Sequence, residues 1–300
     1  MVTDKIIKNS VVAIGNFDGI HRGHQKIFQL GKLIAKKSKK NFGVITFSPL
    51  PQEFFQKNKK IIRLTRDDLK NDLFKKNTIN FVYTCKFNKN FSMTTAENFI
   101  KKTLVNKLSV SHILVGKKFR FGNKRKGNIA LLKKLGKLHN YKVTDLILSK
   151  EKKVRISSTR VRAAIEKGNM ELATLLLGRN WSIKEKVIPG RKIGRELGFR
   201  TANIEIKKNI SPKKGVYAVK VGIKNNNYDG VANFGLAPTF FRNKLVLEIN
   251  LFKKVPSFYG KIVEIAFVKR LRGEKKFKNK NLLIRQIKKD IINAKEILKK

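Results

Sequence analysis

Residues 11–25 read VVAIGNFDGIHRGHQ, and this stretch decides the fold of the first half of the chain. The apolar run 11–15 is typical of a short buried strand, and helical spacing begins near His24, so the sequence predicts a strand, a turn and a helix. Gly23 allows a phosphate group to approach the backbone closely. The helix amino terminus adds unpaired N–H groups and a favourable dipole. The stretch therefore predicts a phosphate-binding turn at the carboxyl end of a strand.

The rest of the first half continues this alternation. Further strands are predicted at residues 43–47, 79–84 and 112–115, and helices at 25–36, 66–75, 96–108 and 130–138. Strands that alternate with helices predict an α/β, Rossmann-like fold, in which helices cover both faces of a parallel sheet. In such folds ligands bind beyond the carboxyl ends of the strands.

The second half has a different pattern. Short β-rich segments separated by turn residues predict a small antiparallel β-barrel or sandwich. Apolar residues spaced by three and four from Asn279 onward predict a terminal amphipathic helix. We place the boundary in residues 177–182, which gives predicted domains of 1–180 and 181–300.

Composition limits the classes of function. The 300 residues include 70 Lys and Arg against 20 Asp and Glu, a net charge of +50, which attracts polyanions. The lysines are spread along the chain, so we favour compositional drift and expect only non-specific nucleic-acid binding. No apolar run reaches the roughly 18 residues of a membrane span, and no signal peptide is apparent. Because Cys85 is the single cysteine, we expect a cytoplasmic protein without membrane partners.

His21 and His24 lie three residues apart in the turn, and each ring can donate a hydrogen bond to a phosphoryl oxygen. A metal site is a poor alternative because no HExxH-like carboxylate is nearby. A plain helix cap is the other alternative.

The segment 155–162, RISSTRVR, offers three hydroxyls and then two arginines at the start of a predicted helix. Ser157, Ser158 and Thr159 can cap the helix or bind phosphate oxygens, and Arg162 adds charge. Taken alone, an ordinary capped basic helix is the simpler interpretation; the histidine turn upstream favours a polyphosphate clamp.

The HxGH and ISSTxxR motifs together resemble the nucleotidyltransferase superfamily. With TFSPLP at 46–51 and VGKKFRFGNKRKGN at 115–128, the order of motifs resembles the bacterial bifunctional riboflavin kinase/FAD synthetase family. The resemblance implies that the first domain transfers AMP from ATP to FMN, giving FAD and pyrophosphate. It implies catalytic roles for His21, His24 and Arg162. It also implies ATP contacts from Gly15, Asn16, Phe17, Asp18, Gly19, Gly23, Ser157, Ser158 and Thr159, and flavin contacts from Phe119, Phe121 and Asn123.

A second candidate site begins at the glycines Gly190, Gly194 and Gly198. A Walker A loop is absent, since 122–127 is followed by Asn-Ile and not by Lys-Ser/Thr. Thr201 and Asn203 follow, and in a strand both would point to the same face. Their oxygen atoms, together with substrate phosphates, suit Mg²⁺. An ordinary Gly-rich barrel loop is the alternative.

The segment 190–204 resembles the motif GxxxGRxLGFPTANI of riboflavin kinases, and GVYAV, LEINLF and LRGEKKF follow in the family's order. The resemblance implies that Glu248 removes the proton of the riboflavin 5′-hydroxyl. It implies that Thr201 and Asn203 hold Mg²⁺ against the ATP phosphates, that the three glycines contact ATP, and that Asn233 and Arg272 contact the flavin. Desolvation in an apolar strand would raise the pKa of Glu248, and nearby lysines would lower it.

Some positions depart from the family pattern, and all residues assigned to chemistry are retained. The departures are Ser48, Leu50, Lys118, Glu185, Arg200 and Ala237. Three alternatives stay open: an enzyme with one surviving activity, a nucleic-acid-binding protein on this fold, and a flavin carrier without turnover.

Overall fold

The structure is a computed structural model, and it describes most of the chain. The described residues are 7–55, 63–146, 150–151, 154–189, 198–199, 201–206, 211–224, 226–236, 245–253 and 255–299. The chain divides into two compact units, Met1–Ile61 with Lys70–Ile156, and Ile62–Leu69 with Ser157–Lys300. The second unit thus includes residues 157–180, which the sequence analysis placed in the first domain. The domain ranges 1–180 and 181–300 stay predictions of functional regions.

The first half of the chain alternates strands and helices as expected. Its elements are β1 (Val11–Ile14), α1 (Arg22–Lys37), β2 (Phe42–Ser48), α2 (Pro51–Phe55), α3 (Asp67–Lys76), β3 (Phe81–Lys86), α4 (Lys89–Ser92), α5 (Ala96–Asn98), a π-helix (Phe99–Lys107), β4 (His112–Gly116), a 3₁₀ turn (Asn123–Arg125), α6 (Ile129–Leu138), β5 (Lys142–Leu146), β6 (Lys150–Glu151) and β7 (Val154–Arg155).

Five of these strands form one parallel sheet in the order β3-β2-β1-β4-β5. All four residues of the central strand β1 are buried, as expected for a strand covered on both faces. The α1 helix lies close against the sheet at Gly31, where a Cβ would come within 2.1 Å of the Phe42 ring. The strand order reverses between β1 and β4, which is where doubly wound folds bind ligands.

One predicted helix differs in kind. The sequence predicts a helix over residues 96–108, and in the structure this helix begins as α5 and continues as a π-helix, which has wider hydrogen-bonded turns. The buried Phe99, Ile100 and Leu104 have a spacing that fits both helix types, so the apolar pattern could not distinguish them.

Within its described residues, the second half forms two short helices, six strands and a long terminal helix. These are α7 (Ser158–Glu166), α8 (Met170–Leu177), β8 (Trp181–Ile188), β9 (Thr201–Glu205), β10 (Gly215–Ile223), β11 (Asn226–Leu236), β12 (Leu245–Leu251), β13 (Ile262–Arg272) and α9 (Lys280–Leu298).

The six strands close into an antiparallel barrel in the order β10-β11-β12-β9-β8-β13. Trp181, Tyr217 and Phe267 fill its interior, with 4.9 Å between the ring centroids of Trp181 and Phe267. The α9 helix packs on β10, β11 and β13 through Ala294 and Leu298. The predicted fold class, an α/β unit with a parallel sheet and a small antiparallel barrel with a terminal helix, is confirmed.

Candidate active sites

The turn after β1 has an unusual backbone. Gly15 continues the sheet by donating its N–H to the Ile45 carbonyl at 3.1 Å. Phe17 and Ile20 then adopt φ angles of +47° and +39°, with Gly19 at +84° between them. Positive φ is costly for side chains as large as these and persists only where packing enforces it. Both side chains are fully buried, so the core holds the turn in one conformation.

His21 is the N-cap residue of α1, and its ring is buried. Its Nδ1 accepts a hydrogen bond from the His24 backbone N–H at 3.3 Å, and the two rings stack with 3.6 Å between centroids. Because Nδ1 is the acceptor, the neutral ring carries its proton on Nε2. His21 therefore combines the capping role, considered above as an alternative, with an Nε2–H group, the kind of donor that binds phosphoryl oxygens.

The other predicted residues of the turn surround this pair. Gly23 and Asp18 are buried, and Asn16 is partly exposed with its carbonyl accepting from the Thr46 hydroxyl at 3.3 Å. The first turn of α1 contains no acidic residue, so no carboxylate of the helix's own first turn offsets its positive end. The turn can thus receive a polyanion.

Lys70 is a charged residue near this turn that the sequence analysis missed. Its Nζ donates to the Thr46 hydroxyl at 2.8 Å, and the side chain is 3% exposed. Through Thr46 the ammonium group connects to the Asn16 carbonyl. Lys70 shares a face of α3 with the buried Leu73 and Phe74, and a lysine on an apolar helix face is the signal that could have identified it.

The predicted flavin contacts of the first half lie in the loop after β4. The rings of Phe119 and Phe121 stack, with 5.5 Å between centroids and 15° between planes. Asn123 donates its backbone N–H to the Thr94 carbonyl at 2.8 Å, which fixes the loop. Because β4 is parallel to β1, this loop and the histidine turn both follow carboxyl ends of neighbouring strands.

The RISSTRVR segment forms the start of α7. Ser157 is the N-cap and accepts from the Arg160 N–H at 3.3 Å, while Ser158 and Thr159 occupy the first turn. Arg162 lies one turn further and is partly exposed. These residues belong to the second compact unit. Their cooperation with the histidine turn stays a prediction.

Three polar residues lie side by side on the barrel. Glu248 of β12 pairs in register with Asn203 of β9 and with Asn233 of β11. Their neighbours along each strand are buried, whereas all three are at least partly exposed, so the row lies on the outer face of the barrel. Thr201 shares this face two residues from Asn203, as the alternation of a strand requires.

Asn250 was not singled out from the sequence, and it lies in the same group. It pairs in register with Thr201 and lies two residues from Glu248 on the same face. The alternation of polar and apolar residues in LEINL was the available signal.

Glu248 has a perturbed acidity. Its side chain reaches solvent, yet the atoms around it desolvate the carboxylate and raise its pKa above the usual 4.5. The sequence predicts two opposing effects on this pKa, a rise from desolvation and a fall from nearby lysines. Among the described residues, the shift comes from desolvation. A carboxylate with raised pKa is a better proton acceptor.

A cleft of about 730 Å³ lies beside this row. This volume is in the range of pockets that hold small organic ligands. Its polar lining includes Thr201 and Asn250, and its aromatic lining includes Phe258 and Tyr259. Gly198 also lines it with φ of +84°, whereas Gly190, Gly194, Arg200 and Ala237 lie outside the described residues.

Arg272, a predicted flavin contact, has its guanidinium engaged elsewhere. Nε and Nη2 bind the buried Asp290 carboxylate at 2.7–3.0 Å, and Nη1 donates to the Gly273 carbonyl. The side chain therefore ties β13 to α9.

The oxygen atoms near Glu248 fit Mg²⁺ better than a transition metal. Within the described ranges no three His, Cys, Asp or Glu side chains form a metal cluster. A hydroxyl, an amide and a single carboxylate leave room for substrate phosphates, as Mg²⁺ sites often do.

None of the helices in the described residues has the length and apolar character that a membrane span requires.

Comparisons with known proteins agree with this two-part arrangement. A family model described as FAD synthetase matches residues 3–160, and one described as riboflavin kinase matches residues 177–298. A Buchnera aphidicola subsp. Schizaphis graminum protein named bifunctional riboflavin kinase/FMN adenylyltransferase is 43% identical over 300 residues, covering 99% of this chain and 95% of its own.

This chain belongs to the bifunctional riboflavin kinase/FMN adenylyltransferase family. The Escherichia coli K12 member of that name is 38% identical over 287 residues, covering 95% of this chain and 92% of its own. The FAD synthetase match includes the histidine turn and Ser157, and the riboflavin kinase match includes Thr201, Asn203 and Glu248. Arg162 lies between the two matched ranges.

A solved structure shares the whole fold. A Streptococcus pneumoniae crystal structure described as a macrolide-efflux protein superimposes with a TM-score of 0.84 and 28% identity, covering 97% of this chain and 96% of its own. The efflux description belongs to that protein.

Proposed function

We propose that this chain makes both flavin cofactors, first phosphorylating riboflavin to FMN with ATP and then adenylylating FMN with a second ATP to FAD. The observation that carries the proposal is the coincidence of two family matches with two separate groups of polar residues. The full-length similarity to relatives named for both activities adds support.

In the kinase reaction, Glu248 accepts the proton of the riboflavin 5′-hydroxyl while that oxygen attacks the γ-phosphorus of ATP and ADP leaves. The raised pKa of Glu248 favours this role, because a base works best when its pKa is closer to the working pH. Asn233 and Asn203 flank the carboxylate and orient it towards the substrate. Thr201 and Asn203 would hold Mg²⁺, which neutralises phosphate charge when bound.

In the adenylylation reaction, an FMN phosphate oxygen attacks the α-phosphorus of ATP and pyrophosphate leaves. The Nε2–H of His21, together with His24 and Arg162, stabilises the charge that develops on the phosphoryl oxygens. The positive end of α1 adds to this effect. We assign no covalent intermediate, because the sequence shows no Ser-His-Asp or Cys-His arrangement that would mark one.

The substrates contact both sites through the remaining predicted residues. ATP lies against the turn 15–19, Gly23 and the hydroxyls 157–159 in one site, and against Gly190, Gly194 and Gly198 in the other. Stacked Phe119 and Phe121 offer an aromatic surface to the FMN ring, with Asn123 beside them. We further propose a cytoplasmic location, no membrane partner, and non-specific nucleic-acid binding through the basic surface.

Product analysis tests the proposal. The purified protein is incubated with ATP and Mg²⁺ and with either riboflavin or FMN, and products are separated by HPLC. We expect FMN and then FAD from riboflavin, and FAD directly from FMN. No product in either incubation contradicts the proposal, and FMN alone limits it to the kinase.

A further inference from the structure

A cavity in the first compact unit lies at the amino-terminal ends of the sheet's strands. It measures about 630 Å³ and is lined by residues where β4 begins, at His112, and where β5 begins, at Lys142. The carboxyl-terminal end of α1 contributes Lys37. The histidine turn instead follows the carboxyl end of β1. Because the strands are parallel, the cavity lies at their amino-terminal ends and the histidine turn at their carboxyl-terminal ends.

The lining of this cavity is basic. Lys37, Lys40, Lys142, His112 and His139 contribute to it, and no aspartate or glutamate does. Among the described residues, none of the three lysines forms an ion pair with a carboxylate within 4.0 Å. The cavity therefore gathers cations whose charge the surrounding protein does not neutralise with carboxylates.

His112 is a half-buried member of this basic lining. Its Nε2 lies 2.8 Å from the Thr144 hydroxyl. Desolvation, and then the charges of Lys142 and Lys40, lower its pKa below 6.5. An anion in the cavity would act in the opposite direction on the same ring.

We propose that this cavity binds a small phosphate-bearing metabolite at a site separate from both active sites. Three ammonium groups and the Ser109 hydroxyl can hold the phosphate. The volume is in the range of small-molecule sites. An aliphatic wall, formed by Ile34, Val105 and Val110, can receive the non-phosphate part.

Histidine NMR tests this proposal without an activity assay. The chain has four histidines, two in the turn and two in this cavity, so His112→Gln and His139→Gln assign the cavity signals. Inorganic phosphate and AMP are titrated separately at constant ionic strength. We expect saturable shifts of both cavity signals and a rise in the pKa of His112, with the tighter probe identifying a free ion or a phosphate ester as the ligand.

Two double variants of equal charge provide the control. Lys40→Ala/Lys142→Ala should raise the pKa of His112 in the free protein and weaken AMP binding at the cavity signals at least roughly tenfold. Lys101→Ala/Lys102→Ala removes two exposed charges of the π-helix outside the cavity and should change neither. The proposal is overturned if the cavity signals do not saturate, or if both double variants weaken binding equally. In that case the cations serve to balance the negative ends of α1 and α6.

Discussion

Glu248 and Asn203 are register partners on the neighbouring antiparallel strands β12 and β9 of the barrel. Side chains at such positions lie about 5 Å apart at their Cβ atoms and on the same face of the sheet. The candidate base and a candidate Mg²⁺ ligand are therefore held by backbone pairing and not by a loop. Strand pairing restricts their separation, which favours a site that is formed before substrate binds.

Replacing Glu248 with Gln should abolish the kinase reaction selectively. We expect FMN formation to fall by about 10²–10⁴-fold, because the amide cannot accept the hydroxyl proton. FAD formation from added FMN should be unchanged. Initial rates by HPLC measure both reactions, and Glu171→Gln, an exposed carboxylate of α8, is the matched control.

The raised pKa of Glu248 predicts that kinase activity and the free energy of unfolding change in opposite directions with pH. Kinase activity should rise with pH along a limb whose midpoint lies above 4.5, because the base must be deprotonated. The free energy of unfolding should fall as pH rises from 4.5 through the native pKa, since the folded state there binds more protons than the unfolded state.

Urea unfolding at a series of pH values measures this second effect, and Glu248→Gln should lack it. A Gln variant with the same pH dependence of unfolding as the parent protein would contradict the assignment.

His21 has a capping role and a proposed chemical role, and two substitutions separate them. Asn can still cap α1, whereas Ala cannot and should lower the free energy of unfolding by about 1 kcal/mol. Both variants should lose FAD formation by about 10²–10³-fold, because each lacks the Nε2–H donor. Thermal unfolding and the rate of FAD formation from FMN are measured on each variant. A fully active His21→Asn variant would contradict the chemical role and leave His21 with the capping role alone.

Arg272 offers a test between flavin binding and support of the barrel. Its pairing with the buried Asp290 predicts that Arg272→Ala costs about 3 kcal/mol of unfolding free energy, since a buried carboxylate loses its charged partner and keeps only the Gln286 amide. Arg272→Lys should cost less and leave the KM for riboflavin unchanged. A raised KM at unchanged stability would instead support the predicted flavin contact.

The sequence was sufficient for the fold class because its signals are local. The buried strand 11–14, the glycine turn and the cap at His21 all lie within one short segment. The polar alternation at Thr201 and Asn203 likewise predicted a strand face. The family resemblance assigned roles to these residues.

Contacts between residues far apart in the chain could not be predicted from the sequence. Glu185 was noted as a departure from the family, and the structure shows it buried and bound to Arg66, 119 positions away, at 3.1–3.2 Å. Lys70 near the histidine turn and Asn250 beside Thr201 depend in the same way on packing between distant segments. Periodicity describes one element at a time, so such partners become visible only in three dimensions.

Complementation between two inactive variants tests the central claim, two independent sites in one chain, most directly. Glu248→Gln and His21→Asn are incubated with riboflavin, ATP and Mg²⁺, separately and mixed, and products are followed by HPLC. We predict little product from the first, FMN alone from the second, and FAD from the mixture as FMN passes between molecules. FAD from either variant alone at the parent rate, or no FAD from the mixture when both variants are folded, would contradict the account.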